Sequence, residues 1–130
     1  MATTEFIYGE RNGRYYPVIS THLRNKNNEL DLEVLVDSGA SFSTFREEVA
    51  ELLGINIEEG EKRQSIGISG KIEVYLHQID MKVFDSWFTC TVAFSRELTS
   101  SFNLLGREGF FDRHLISFNQ KEKKTIITEF

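Results

Sequence analysis

Apolar residues recur at every second position over most of this chain, and that period predicts strands. Glu5–Tyr8 and Tyr15–Leu23 read as two strands separated by the polar turn Gly9–Gly13, whose Asn12-Gly13 pair is a turn signal. Pro17 lies near the start of the second, where a missing N–H costs least. Across the polar connection Arg24–Asn28, Glu29–Val36 places Leu30, Leu32, Val34 and Val36 on one face. Leu35 breaks the polar side of that alternation, so the end of this strand is expected to be buried on both faces. One stretch has helical period instead. Phe45, Val49, Leu52 and Leu53 fall at i, i+4, i+7 and i+8, Thr44–Glu47 matches a capping box, and Gly54 follows as a stop. Period two then returns from Ile55 to Phe94. Gly67-Ile68-Ser69-Gly70 is the tip of a predicted hairpin carrying Ile72, Val74 and Leu76, and Ile79–Val83 and Trp87–Phe94 are further strands. After the polar loop Arg96–Ser101 comes a short apolar strand, Phe102–Gly106. Arg107–Arg113 reads as a helical turn or two. Leu115–Phe118 and Thr125–Phe130 form a last hairpin across the charged turn Asn119–Lys124, which reads as a solvated turn.

Many short strands with one clear helix make the class all-β. Composition agrees: 11 Phe, 4 Tyr and one Trp suit pleated, half-buried surfaces. At 130 residues, with no repeat, low-complexity tract or linker, residues 1–130 are expected to form one domain. The net charge of -5 supplies no basic surface for phosphates, which argues against nucleic acid or an anionic membrane as partner. No signal peptide and no apolar run long enough to span a bilayer is visible, so a cytoplasmic location is expected. The lone Cys90 sits in an alternating run and reads as a small buried hydrophobe. His22, His77 and His114 lack metal-ligand spacing, so no metal or other cofactor is expected.

The candidate chemistry centres on Asp37-Ser38-Gly39, a triplet that occurs once. These are ordinary turn residues, and the triplet alone fits a tight turn at a strand end equally well. Its context adds to it. The apolar strand before it holds the carboxylate at the interior end of a sheet, and Ala40 and Ser41 leave space beside it. Asp85-Ser86-Trp87 begins in the same way but lacks the glycine, and reads as a turn.

Further along come the hairpin tip Gly67–Gly70 and then Leu104-Leu105-Gly106-Arg107. Asp-Ser-Gly-Ala, a glycine-containing hairpin, and two apolar residues followed by Gly-Arg, in that order, resemble the retropepsin-type aspartic proteases. The resemblance runs from about Tyr15 to the C-terminus. It implies a closed acid-protease-like barrel, with one short helix after the active-site turn and a short helical segment near the C-terminus. It implies that Asp37 is catalytic and that two copies of the chain form a homodimer, each supplying one carboxylate, to cut polypeptides. Ser38, Gly39, Leu104, Leu105 and Gly106 would support the active-site loop. Leu35, Gly39, Ala40, Ser41, Leu104 and the flap residues Gly67, Ile68, Ser69 and Gly70 would bind substrate. Terminal residues Thr125–Phe130 are placed to interleave between subunits, as in retroviral relatives. Ser41 stands where those relatives often carry an Asp that pairs with the later Arg, so Arg107 needs another partner, Asp112 or Glu108. A non-catalytic dimerisation or peptide-binding module on the same fold is the alternative reading.

Overall fold

The computed structural model describes residues 2–67, 70–83 and 85–130. Its strands are β1 (Thr3–Ile7), β2 (Gly9–Arg11), β3 (Arg14–Tyr16), β4 (Val18–Asn25), β5 (Asn28–Val36), β6 (Thr44–Arg46), β7 (Glu61–Gly67), β8 (Gly70–Lys82), β9 (Trp87–Ser95), β10 (Asn103–Leu105), β11 (His114–Asn119) and β12 (Lys124–Glu129). One helix, α1, spans Glu47–Leu52, and a 3-10 turn covers Ile57–Glu59.

The turns follow local chemistry. Asn12 and Gly13 adopt φ of 53° and 76°, the left-handed pair that closes a two-residue hairpin with the twist its strands need, and it joins β2 to β3. Pro17 has no N–H for a ladder and divides the predicted Tyr15–Leu23 strand into β3 and β4. The predicted connection Arg24–Asn28 shrinks to Lys26-Asn27, because β4 and β5 continue pairing to Asn25↔Asn28.

Seven strands form one sheet in the order β4-β5-β10-β6-β9-β8-β7, and β8 also pairs with β4. Pairings thus lead from β4 through β5, β10, β6, β9 and β8 back to β4. Two apolar clusters lie on its two sides, and the central strands feed both. Val34 and Val36 enter the larger cluster with Phe45, Phe94, Leu105 and Phe110, whereas Leu35 enters the smaller one with Ala40, Ile72, Leu98 and Leu104. This is why Leu35 breaks the alternation: a strand covered on both faces carries no polar side. Burying a side chain of this size contributes roughly 1.5–3 kcal/mol.

Three expectations are corrected. The capping box does not form. Thr44 pairs in β6 with Ala93 and Leu104, and its hydroxyl donates to Phe42 O. Arg46 becomes the N-cap, and its N–H is met by Asn103 Oδ1 at 2.8 Å. The helix is correspondingly short, and Leu52, predicted on its apolar face, is 61% exposed while Val49, Ala50 and Leu53 are buried.

The predicted helical segment Arg107–Arg113 is a run of turns. Its first two N–H groups are held from outside: Arg107 N donates to Ala40 O and Glu108 N to Ser41 O, each at 2.9 Å. Gly109 then takes φ of 98°, with Thr91 O only 2.6 Å from where a Cβ would sit. Beyond that positive φ the later donors close turns of other spans, Phe111 N to Gly106 O at 3.1 Å, Asp112 N to Arg107 O and Arg113 N to Phe110 O each at 3.0 Å, so no helical i to i−4 ladder forms.

Finally, β12 does not offer itself to a second chain. It lies between β1 and β11 of its own chain in a three-stranded sheet, so both of its edges are filled.

Candidate active site

β5 and β10 run parallel, Leu35 beside Leu104 and Val36 beside Leu105. The ladder carries Asp37 out of the sheet at its end, where Asp37 N donates to Leu105 O at 2.9 Å. A turn follows at once, with Ala40 N donating to Asp37 O at 3.1 Å. The side chain is fixed within this turn. Gly39 N donates to Asp37 Oδ1 at 2.9 Å, while Oδ2 is buried and has no hydrogen-bond partner among the described residues. Buried carboxylate oxygens are nearly always partnered, because leaving one without a bond costs about 1–3 kcal/mol or more. Ser38 and Gly39 beside it are exposed, and the Ser38 hydroxyl makes no hydrogen bond among the described residues.

Gly106 is required on steric grounds. A Cβ there would lie 2.4 Å from Phe42 O and 2.8 Å from Ala40 O. Its N–H donates to the wholly buried Ser43 Oγ at 3.0 Å. Ser43 thereby ties the Asp37 loop to β10. Nothing local in Ser41-Phe42-Ser43-Thr44 marks Ser43 above its neighbours, so its role emerges only from the tertiary structure.

The β7–β8 hairpin lies over this loop. Ser41 Oγ and Ser41 N both donate to Ile66 O, at 3.1 and 3.3 Å. Gly67 approaches so closely that a Cβ would meet Ala40 Cα at 3.3 Å. Beneath the hairpin Ser65, Ile72, Leu98 and Leu104 enclose a space of about 10 Å³, room for no more than about one water. Ile72 and Leu98 were not among the predicted site residues. A lone apolar residue in the polar loop Arg96–Ser101 was the available signal for Leu98. Ile68 and Ser69, predicted at the hairpin tip, lie outside the described residues.

The predicted residues therefore assemble on one side of the sheet: Asp37, Ser38, Gly39, Ala40 and Ser41 on the loop, Leu35 and Leu104 below it, and Gly67 and Gly70 above. Leu105 is apart from them, in the larger core cluster, where it supports the loop from beneath. Arg107 is exposed and pairs with neither Asp112 nor Glu108 among the described residues; its ordering is through the backbone, which Ala40 and Asp112 hold.

The other titratable candidates have separate roles. His77 Nε2 donates to Ile57 O at 2.8 Å. Buried His114 stacks on Phe110 with ring centres 4.4 Å apart. His22 lies between Asp31 and Glu29, one carboxylate at each ring nitrogen. Ionised carboxylates only accept, so this arrangement favours the ring with both nitrogens protonated. The bond to Asp31 and then that to Glu29 raise its pKa above the ordinary histidine value. Burial pushes the Cys90 thiol up to about 12, which makes it unreactive. Among the described residues no cluster of His, Cys, Asp and Glu could hold a metal ion.

This architecture is shared with known proteins. The chain superposes over 97% of its length on 98% of a retropepsin-like aspartic protease from Rickettsia conorii, at a TM-score of 0.70 and 18% identity. The EIAV protease, solved with the inhibitor HBY-793, covers 76% of this chain with 88% of its own, at a TM-score of 0.53 and 20% identity. Likenesses at such identity establish a retropepsin-like fold. No curated protein matches the sequence. A model of the aspartyl protease family does match, over residues 24–108, a span that contains Asp37, the overlying hairpin and Leu104–Gly106; the chain therefore belongs to the aspartyl protease family.

Proposed function

We propose that this protein is an aspartic endopeptidase acting as a homodimer, each chain contributing one Asp37. The observation that carries the reading is Asp37 itself. One carboxylate oxygen is fixed by Gly39 N, and the other is buried without a partner among the described residues, beside the exposed Ser38 and Gly39. A second copy of the same loop, brought up by two-fold symmetry, supplies that partner. Two carboxylates at close range cannot both ionise cheaply, so they share one proton and titrate as a unit. The ionised member takes a proton from water as the water oxygen attacks the peptide carbonyl carbon. The protonated member donates to the carbonyl oxygen, and the tetrahedral intermediate then collapses with proton transfer to the leaving nitrogen. No step requires a metal or a covalent enzyme intermediate.

In this reading Ser38 stiffens the pair, and Ser43 and Gly106 hold each loop to β10. Leu35, Ala40 and Leu104 receive apolar side chains next to the scissile bond, and Gly39, Ser41, Gly67 and Gly70 contact the peptide backbone. The narrow space under the hairpin means that it lifts before a peptide enters.

The test is cleavage of a peptide library at mildly acidic pH by the protein and by Asp37→Asn, with sedimentation at several concentrations. The reading expects cleavage that falls by at least about a hundredfold in the variant, and a dimer at high concentration. A strict monomer at all concentrations, or cleavage unchanged by the substitution, refutes it.

A further inference from the structure

The hairpin β2–β3 has no part in the chemistry just described, yet its register sets two like charges face to face. Arg11 is paired directly with Arg14 across the Asn12-Gly13 turn, an arrangement that destabilises a hairpin. Conflicts of this kind mark places where a local rule has yielded to another requirement. Arg11 is accommodated: it bonds Glu33 Oε1 at 2.6 Å, donates to Glu10 O and lies 5.9 Å from the centre of the Phe102 ring. Arg14 is exposed and has no carboxylate partner among the described residues. With Asn12, Tyr16, Ser101 and Phe102 the two arginines line a pocket of about 360 Å³. Two arginines against one glutamate leave a local excess of positive charge on a chain whose net charge is -5.

The pocket adjoins the candidate active site. Tyr16 and Phe102, whose rings are 5.1 Å apart, both pack on the cluster that contains Leu35, Ala40 and Leu104. Val18 pairs with Leu35 and Val36 N donates to Pro17 O, so the backbone entering through Tyr16 runs beside the segment that leaves through Asp37. Phe102 lies just before the start of β10 and packs, like Tyr16, against the cluster that holds Leu104. An extended peptide repeats every two residues, about 6.6 Å, so a side chain seated against Leu35 and Leu104 is followed, two residues on, by the next side chain on that face.

We propose that the pocket between the β2–β3 hairpin and Phe102 is a subsite for an acidic side chain, Asp or Glu, of the peptide substrate, two residues outward from the residue next to the scissile bond. Arg14 supplies the free charge, Arg11 and Asn12 polar contacts, and Tyr16 and Phe102 the walls on which the methylenes pack. The proposal rests on the protease reading for its geometry and adds to it a class of substrate.

Internally quenched peptides identical except for Glu, Gln or Lys at that position test it. The protein should prefer Glu to Gln by about fivefold in kcat/KM, as a partly exposed ion pair allows, with Lys poorest. Arg14→Gln should bring the Glu/Gln ratio to about one, and Arg14→Glu should turn the preference to Lys. Ratios taken within one variant are insensitive to any loss of folded protein. Equal rates for Glu and Gln, or a ratio that survives both substitutions, overturn the subsite while leaving the protease reading intact. If no peptide is cut, the protease reading fails separately, and binding of the same labelled peptides is measured by fluorescence anisotropy. Tighter binding of the Glu peptide that Arg14→Gln removes upholds the subsite; equal or absent binding overturns it.

Discussion

Ser41 latches the β7–β8 hairpin to the Asp37 loop, and removing its hydroxyl tests that latch. Two donors from Ser41 converge on Ile66 O, Oγ at 3.1 Å and N at 3.3 Å. Ser41→Ala removes only the first. The site is partly exposed, so water competes for the freed carbonyl, and the net loss lies within about 0.5–1.5 kcal/mol. At about 1 kcal/mol the equilibrium between lifted and lowered hairpin moves roughly fivefold towards the lifted state. Hydrogen exchange read by mass spectrometry on residues 61–67 and 70–76 should then quicken about fivefold, while exchange in β11 and β12 stays as it was. Ser41→Asp should go further, since a carboxylate donates nothing and sets negative charge against the Ile66 carbonyl. Unchanged hairpin exchange in both variants refutes the latch. Faster exchange throughout the chain refutes it as well, because the serine would then be supporting the fold rather than the hairpin.

Two further predictions concern stability. His22 titrates above the ordinary histidine value of 6.5 because Asp31 and Glu29 bond its ring, so its contribution is complete below the unfolded value and disappears as pH rises through the raised one. Denaturant titrations should therefore find His22→Gln less stable than the parent at pH 5.5 and equal to it at pH 9; a gap that widens towards alkaline pH contradicts the pairing. Gly106→Ala places a methyl 2.4 Å from Phe42 O, and the forced shift of the Asp37 loop should cost at least about 1–3 kcal/mol in chemical unfolding, together with most of the peptide cleavage.

Much of the fold was legible because its signals are local. Alternation in Glu29–Val36 and Trp87–Phe94 marked β5 and β9, and Leu35 announced a strand buried on both sides. The triplet, the glycine hairpin and Leu104-Leu105-Gly106 were legible as a candidate site only as an ordered set that resembles the retropepsin-type proteases, since the triplet alone fits a turn equally well. Failures came where distant residues competed for the same backbone groups. Thr44–Glu47 carries a sound capping box, yet Thr44 is taken into β6 by Ala93 and Leu104, which lie dozens of residues away. Arg107–Arg113 has the composition of a short helix, but Ala40 and Ser41 hold its start, Gly109 takes φ of 98°, and the remaining donors close non-helical turns.

The sequence by itself determined most of the strands, β5 and β9 above all, where Asp37 stands at the end of β5, and that only one such triplet exists. These are properties of side-chain period and turn chemistry, settled over a few neighbouring residues. Tertiary structure alone decided that Ser41 holds Ile66, that Ser43 ties the Asp37 loop to Gly106, that β12 fills both its edges within its own chain, and that Arg11 and Arg14 face a pocket beside Leu104. Each of these depends on which strand pairs with which, in what register. That choice rests on the burial of two apolar clusters assembled from the whole chain, a sum that no local window contains.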